Sequence, residues 1–461
     1  MEAECRQTGF SLPFESVSMN IDERAVYSIE ALQQKGHQAY LVGGCVRDYL
    51  LGKEPKDWDV ATSAMPTEVL DCFSDTPYSV IKTGLQHGTV TVVVKGMPIE
   101  VTTFRADGEY LDKRRPSEVT FVSDLREDLR RRDFTINALA YDLTEGIIDC
   151  FAGEADIRNR TIRAVGDPDC RLNEDALRIL RALRFSAVLG FDIEEGLAKS
   201  IHDNRALLSN ISSERISAEL TKMLTGSNVL EVLLAYPDVL SVFIPEIMPA
   251  VGFEQKNPYH IFDVWAHTAH SVQSAIPHNL VRLTMLFHDL GKPATFTLDS
   301  NGCGHFYQHG KISQEIALYR LKELRFDGNT IAAVGKLVKW HDTLIAPDKL
   351  TRWLNKLGEE LLRLLLAVKR ADALAQDEIS GISKIASIDK LEQELDALIA
   401  ANQCYKLLDL AVSGYDILDL GVKEGPEVGS VLNALLQRVI EGELQNDRAA
   451  LLCAAQELLG R

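Results

Sequence analysis

The sequence predicts a multidomain α+β protein: an N-terminal α/β domain followed by an all-helical remainder. Three observations carry this. The chain has 461 residues, enough for several domains at about 100–200 residues each. Short runs of apolar and β-branched residues bounded by glycine fall within the first 150 residues. From about Asn173 onward the pattern is mostly helical.

Taken in order, His37–Val42 reads as a short apolar strand, Val46–Leu51 as a helix and Trp58–Ala61 as a second strand. Pro66 opens another helix, because proline is tolerated in a first turn. Gly88–Lys95 and Pro98–Phe104 are rich in β-branched residues and predict a hairpin turning at Gly96-Met97. Arg105–Ser117 (RADGEYLDKRRPS) is polar and aperiodic, as expected of a mobile loop. Leu172–Leu189, Ser213–Leu224 and Asn228–Tyr236 read as helices. Breaks near 151–166, 224–226 and 376–387 suggest domains at 20–150, 151–225, 226–380 and 381–461.

Composition narrows the class. With 46% hydrophobic and 25% charged residues, the chain is not collagen-like, mucin-like or largely disordered. The apolar stretch Leu361–Leu374 is interrupted by Arg363, Lys369, Arg370 and Asp372, so no membrane span is expected. The start, MEAECRQTGF, lacks a basic-then-apolar signal pattern. Eight scattered cysteines without C-x-x-C argue against a zinc ribbon or disulfide framework, and the expectation is a reduced cytoplasmic protein. Net charge is −18, but residues 105–184 hold 15 Lys+Arg against 17 Asp+Glu, and 14 of those 15 are arginine. Planar guanidinium forks in that number suit phosphate or base recognition.

The chemistry-bearing motifs begin with LVGGCVRDYLLG, Leu41–Gly52: strand, Gly-Gly turn, helix. Gly43 and Gly44 permit a tight turn that leaves amides at the helix N-terminus aimed at an anion, and Arg47 in the first turn would reach a triphosphate. KDWDVAT follows at Lys56–Thr62, with Asp57 and Asp59 two apart on the expected strand and therefore on one face. Adjacent carboxylates repel unless a hard divalent cation sits between them, and two Mg²⁺ ions would assist in-line displacement at phosphorus. Glu100, in IEVTTF, is a possible third carboxylate of undetermined facing. Further along, Asp175, Arg178, Arg181 and Arg184 recur every three residues on an expected helix. Asp175 and Arg178 side by side present an acceptor beside a donor fork. That order matches the Watson–Crick edges of cytosine and adenine and opposes those of uracil and guanine.

GG-x-V-R-D, then D-W-D, then IEVTTFR, RADGEYLDKRRPSEV, DLRRRDFTINALAYD and GDPDCRLNEDALRILRALRF together resemble the tRNA nucleotidyltransferase and bacterial poly(A) polymerase family, with its polymerase β-like head. The resemblance covers roughly residues 25–225. It implies a head domain followed by a helical neck whose Asp175 and Arg178 act as a protein template. Arg132 is implied as a nucleotide contact, and Arg181 and Arg184 as triphosphate or base contacts. The loop at 105–117 corresponds to a flexible segment beside the active site, full length here, which favours an enzyme able to add the terminal A. The implied reaction builds or repairs the 3′-terminal CCA of tRNA from CTP and ATP with Mg²⁺. An A-adding enzyme or a poly(A) polymerase would share the head motifs.

A second constellation holds His267, His288-Asp289, His309, His341 and Asp372. An adjacent His-Asp on an apolar helix with distant His and Asp suits a divalent metal. H-D-L-G-K-P and this order resemble the HD phosphohydrolase superfamily. The resemblance implies His267, His288, Asp289 and Asp372 as core ligands of a second metal of unspecified identity, with His309 and His341 at extra positions found in some members. Hydrolysis of a 2′,3′-cyclic phosphate or 2′-phosphate at a damaged tRNA end is the activity implied. A rival reading is an HD phosphohydrolase whose head only binds RNA. Near the C-terminus, Gly421, Gly425, Pro426 and Gly429 separate two helical stretches, which fits either a phosphate-backbone contact or an ordinary helical hairpin.

Overall fold

The computed structural model describes residues 19–85, 88–107, 119–257, 261–376 and 378–460. Two compact units emerge: residues up to Ala182 with Phe191–Ile211, and Leu183–Gly190 with Ser212 onward.

The first unit is built on a seven-stranded sheet of β1 Ala39–Val42, β2 Asp59–Thr62, β3 Ser79–Gly84, β4 Thr89–Val94, β5 Met97–Thr103, β8 Leu139–Asp142 and β9 Gly146–Asp149. Between β5 and β8 lie β6 Arg105–Asp107 and β7 Val119–Phe121, which pair separately. The spatial order is β3-β4-β5-β2-β1-β8-β9, with only β2 and β5 parallel. The predicted α+β class therefore holds, with the sheet confined to the head. In β4 the alternate residues Val90, Val92 and Val94 are buried. Helix α1, Glu23–Gln34, sends Ala25, Ile29 and Leu32 into the core and packs on the sheet with Pro66–Phe73. A second cluster combines Val42, Ala61, Phe104, Leu125 and Leu129.

Three local expectations are corrected. The hairpin turns at Lys95-Gly96, because Val94 pairs with Met97 and both turn residues have positive φ (48° and 82°), the conformation that matches strand twist. Arg105–Asp107 is a strand paired with Val119–Phe121, and the remainder of the expected loop, 108–117, lies outside the described residues. The expected continuous helix over Leu172–Leu189 is two helices, Pro168–Glu174 and Leu177–Leu189. They part at Asp175, whose backbone is extended (φ −135°, ψ 103°) and whose Oδ1 accepts from the Leu177 amide. An aspartate that caps the next helix competes with continuing the previous one.

Among the described residues, the second unit is helical apart from the ribbon Phe296–Leu298/Gly304–Phe306. At its centre Asn279–Phe287 is buried at every position from Val281 to Phe287, the pattern of a helix surrounded on all sides. It packs against Val264–Ser274, Gly328–Trp340 and Glu359–Leu374. His309–Glu323 and Gly328–Trp340 form a helical hairpin, which brings the start of one beside the end of the other. Toward the C-terminus, Gly414–Asp419, Pro426–Ile440 and Arg448–Leu458 enclose a separate cluster around Ile417, Leu435 and Leu451. The glycines at 421 and 425 do lie between two helices, while Gly429 falls inside the second.

Candidate active site and metal cluster

The first site forms where β1 runs into Gly44–Leu50. Gly43 adopts φ 79°, ψ −125°, a region closed to residues with a Cβ, and a Cβ there would lie 2.6 Å from Arg132 Nη1. The glycine thus makes room for a guanidinium. Arg47 is buried and already engaged: it donates to Asn137 Oδ1 at 2.6 Å and to Asp48 Oδ1 at 2.9 and 2.7 Å. Asn137 Nδ2 donates to Asp133 Oδ1 at 3.0 Å, and Asp133 Oδ2 accepts from Arg181 Nε at 2.7 Å. The result is a continuous chain Arg47–Asn137–Asp133–Arg181 from the glycine turn to the helix Leu177–Leu189. Burial would raise the Asp133 carboxyl, but Arg181 and the Asn137 bond outweigh it and hold it at about 2.

The carboxylates gather beside this chain. Asp59 opens β2 and pairs in parallel register with Glu100, so both side chains leave the same face of the sheet. Glu100 thereby acquires the facing that its sequence left open. Asp57 precedes the strand rather than lying on it. Burial chiefly, and then the charge of Glu100, push Asp59 up to about 6, with Arg132 opposing. A carboxylate so disfavoured is relieved by a cation, which is the fit expected of a divalent metal site.

The neck residues have protein partners. Arg178 is buried and donates from Nη1 to Arg171 O (2.9 Å) and Glu174 (2.5 Å), and from Nη2 to Arg131 O (2.9 Å). Its Nε–H and one Nη2–H carry no bond among the described residues. Arg184 belongs to the second unit, where it bonds Glu219 at 2.5 Å and lies over Phe185. The expected run of aligned positions from Asp175 to Arg184 is therefore broken at its start. Sequence reasoning missed Asp133, Asn137 and Asp128. The last is fully buried and accepts from the Arg105 amide, Arg131 and Arg132. The signal for Asp133 was a carboxylate directly after three arginines.

The second site lies wholly in the second unit. His267 comes from Val264–Ser274, His288-Asp289 from the end of Asn279–Phe287, and Asp372 from the last turn of Glu359–Leu374. The helical hairpin supplies His309 at its start and His341 at its end. All six expected residues come together, in two groups whose ligand atoms lie within 4.8 Å: His267, His288, Asp372 and Asp289, His309, His341. Asp289 joins them, with Oδ2 at 3.3 Å from His288 Nε2 and Oδ1 at 3.4 Å from His309 Nε2.

Each of the four rings places Nδ1 on a backbone carbonyl: Ala375, Met285, Phe306 and Val338 at 3.3, 2.7, 2.9 and 2.7 Å. A carbonyl only accepts, so Nδ1 of His288, His309 and His341 bears the proton and Nε2 of each neutral ring turns a lone pair inward, while His267 Nε2 lies 2.9 Å from Asp372 Oδ1. His309 and His341 then face each other, Nε2 to Nε2, at 3.1 Å. His288 Nε2 is buried without a hydrogen bond. Asp289 and Asp372 outweigh burial and favour the imidazolium of His288, whose Nε2 proton a cation bound between these carboxylates would displace. Lone pairs facing across a buried space, with carboxylates between, fit one or two divalent cations.

With both sites in view, the chain can be placed among known proteins. The family description "Poly A polymerase head domain" matches residues 39–163, "Probable RNA and SrmB- binding site of polymerase A" matches 190–250, and "tRNA nucleotidyltransferase domain 2 putative" matches 305–455. A CCA-adding enzyme of Levilactobacillus brevis is 35% identical over 93% of this chain and 96% of its own. The chain belongs to the CCA-adding enzyme family. A second CCA-adding enzyme, from Limosilactobacillus fermentum, is 36% identical over 94% of this chain and 96% of its own. The crystal structure of the Bacillus stearothermophilus CCA-adding enzyme in complex with CTP superposes with TM-score 0.69 at 30% identity, covering 95% of this chain and 97% of that one. Family membership accounts for the head and neck motifs. Among the described residues, no helix is long and apolar enough to cross a membrane.

Proposed function

We infer that this protein builds or repairs the 3′-terminal CCA of tRNA from CTP and ATP, releasing pyrophosphate. The observation that carries the reading is the register of Asp59 beside Glu100 on strands adjoining the Gly43 turn. In the mechanism we propose, amides after Gly43 and the guanidinium of Arg132 receive the triphosphate, and Arg47, held by Asn137, fixes the turn. Asp57, Asp59 and Glu100 would hold Mg²⁺, which when bound neutralises the charge developing on the phosphates. The tRNA 3′-hydroxyl loses its proton and attacks the α-phosphorus, and the bond to pyrophosphate breaks. Asp175 and the unbonded edge of Arg178 select the base, with Glu174 and two backbone carbonyls holding the guanidinium still. Arg181 acts through Asp133, and Arg184 supports the start of the second unit through Glu219. We assign head, neck, HD-type body and tail to 20–150, 151–225, 226–380 and 381–461.

Transcripts of one tRNA ending at the discriminator base, at C or at CC, each given CTP, ATP or both, test this reading. Addition that stops at CCA and is lost in Asp59→Ala is expected. A added only to the CC end, or long A tails, would replace it with the A-adding or poly(A) alternative.

The buried, unbonded His288 Nε2 favours a second activity, phosphoester hydrolysis at the histidine–aspartate cluster. His267, His288, Asp372 and Asp289, His309, His341 would hold the cations, which supply an acidified water and polarise a phosphoryl oxygen. Water adds at phosphorus, the ester P–O bond breaks and the released hydroxyl takes a proton.

A further inference from the structure

We propose that Asp299, Cys303 and His305, gathered on one face of the ribbon Phe296–Leu298/Gly304–Phe306, form a third metal site, which takes Zn²⁺ or a cation of similar thiolate preference and staples the ribbon's turn. The ladder itself brings them together. Thr297 pairs with His305 and Leu298 with Gly304, so the next rung sets Asp299 opposite Cys303, where the Asp299 amide donates to Cys303 O at 3.0 Å. Side chains two apart on a strand share a face, as do those directly across a ladder. Cys303 and His305 therefore share a face with Asp299. Their ligand atoms all lie within 4.8 Å of one another. None of the three belongs to the buried histidine–aspartate cluster, and all reach solvent, open to a cation.

Each donor has capacity that the turn leaves spare. Asp299 Oδ1 accepts from the amides of Asn301 and Cys303, at 2.9 Å each, and that closes the turn. Oδ2 is left over, and it stands 3.2 Å from His305 Nε2. In a tetrahedral zinc site, nitrogen and oxygen ligands at about 2.0–2.1 Å from the ion stand about 3.3 Å apart, so this pair already spans one edge. The His305 ring stacks on Tyr307, with centroids 5.5 Å apart and planes within 11°, which sets the direction of Nε2. The Cys303 thiol makes a long contact, to Gly304 O at 4.0 Å. Thiolate and imidazole favour zinc over Mg²⁺ or Ca²⁺, which take oxygen ligands. One thiolate and one carboxylate also balance the charge of a divalent cation. On binding, Cys303 releases its thiol proton and the cation takes the place of the hydrogen between His305 and Asp299. The neutral ring then carries its proton on Nδ1, and water completes the fourth position. His309 begins its helix three residues past the ribbon, so the staple anchors the strand that leads into the buried cluster. An open site of three ligands holds its cation more weakly than that cluster.

The test titrates Co²⁺ into the full chain with its cysteines reduced, because thiolate-bound cobalt gives an intense near-ultraviolet charge-transfer band. The histidine–aspartate cluster contains no sulfur, so cobalt held there adds nothing to that band. Wild type should show the band and lose it when Zn²⁺ displaces the cobalt. Cys303→Ser, His305→Ala and Asp299→Ala should lack it. Metal-free Cys303→Ser should melt at the wild-type temperature, which separates loss of the band from loss of the fold. A second readout follows each cysteine by itself, as its rate of alkylation by iodoacetamide, measured by peptide mass spectrometry. A thiolate bound to metal is no longer free as a nucleophile, so Zn²⁺ should slow Cys303 by at least about tenfold. Exposed Cys170 and Cys453 should be unaffected. In His305→Ala and in Asp299→Ala the protection of Cys303 should vanish. A band that persists in Cys303→Ser, or no band in wild type, would overturn the site. Protection that survives in both His305→Ala and Asp299→Ala would overturn it as well, leaving a single thiol and an adventitious ion only.

Discussion

Asp133 shows how one buried charge ties the glycine turn to the neck. Its carboxyl is held at about 2, against an ordinary 3.8, because Arg181 and Asn137 outweigh the cost of burial. A lowered folded-state pKa means the ionised form stabilises the fold at neutral pH, and that contribution is lost as pH falls from about 4 toward about 2. A carboxyl held that far below its ordinary value stabilises the fold by roughly 2–3 kcal/mol. Asp133→Asn should therefore be less stable than wild type by about that amount at pH 7, and the gap should narrow below pH 4. Urea titrations across that range measure it, and a gap independent of pH would mean that packing rather than charge is lost. Gly43 is the second residue with sharp consequences. Gly43→Ala forces a disallowed backbone and meets Arg132 at 2.6 Å, so about 1–3 kcal/mol of stability and most nucleotide addition should go together. Restored stability in Gly43→Ala/Arg132→Ala, with nucleotide addition still lost, would show that the clash alone unsettles the fold.

At the scale of elements, the break between Pro168–Glu174 and Leu177–Leu189 separates two roles of Asp175. Its Oδ1 caps the second helix through the Leu177 amide, and in the proposed mechanism its carboxylate is also the acceptor for base selection. Asp175→Ala should lose both, destabilising the neck by about 1 kcal/mol and relaxing the choice of nucleotide. Asp175→Asn keeps a capping oxygen, so it should retain stability while misincorporating UTP or GTP in single-addition assays. If Asn also preserves selection, the charge is not the discriminating feature. This break also marks what the sequence could reveal. The strands, the glycine turn and the six-residue histidine–aspartate cluster were legible, because periodicity and motif spacing report local geometry. The capping bond at Asp175 was hidden, since the three-residue spacing of Asp175, Arg178, Arg181 and Arg184 suits an unbroken helix equally well. Glu100 was undecided for a related reason: its facing depends on register with β2, some forty residues earlier, and only pairing fixes it. The partners of Arg47, Arg178 and Arg184 are likewise tertiary facts, legible as arginines but not as commitments.

The two clusters proposed to hold metal for catalysis lie in different compact units, Asp57, Asp59 and Glu100 in one and the histidine–aspartate cluster in the other. Each unit has its own core, so loss of charge in one cluster need not disturb the other. Asp59→Asn should reduce CCA addition by at least about a thousandfold, the range of charge stabilisation by positioned groups, and leave hydrolysis of adenosine 2′-monophosphate within about twofold. Asp289→Asn should do the reverse. Metal removal distinguishes the clusters by a readout other than activity. A cation that binds only the folded cluster stabilises by about 2.7 kcal/mol at a hundredfold excess over its Kd, which raises the melting temperature by several degrees. The buried cluster, with four imidazoles aimed inward, should dominate that effect, because the head carboxylates Asp57 and Glu100 are exposed. Chelation should therefore lower the Tm of wild type and Asp59→Asn alike, while Asp289→Asn, missing the carboxylate that joins both groups, should show little response to either metal or chelator. A Tm response that follows Asp59 instead would place the tightly held cation in the head and leave the histidines as packing.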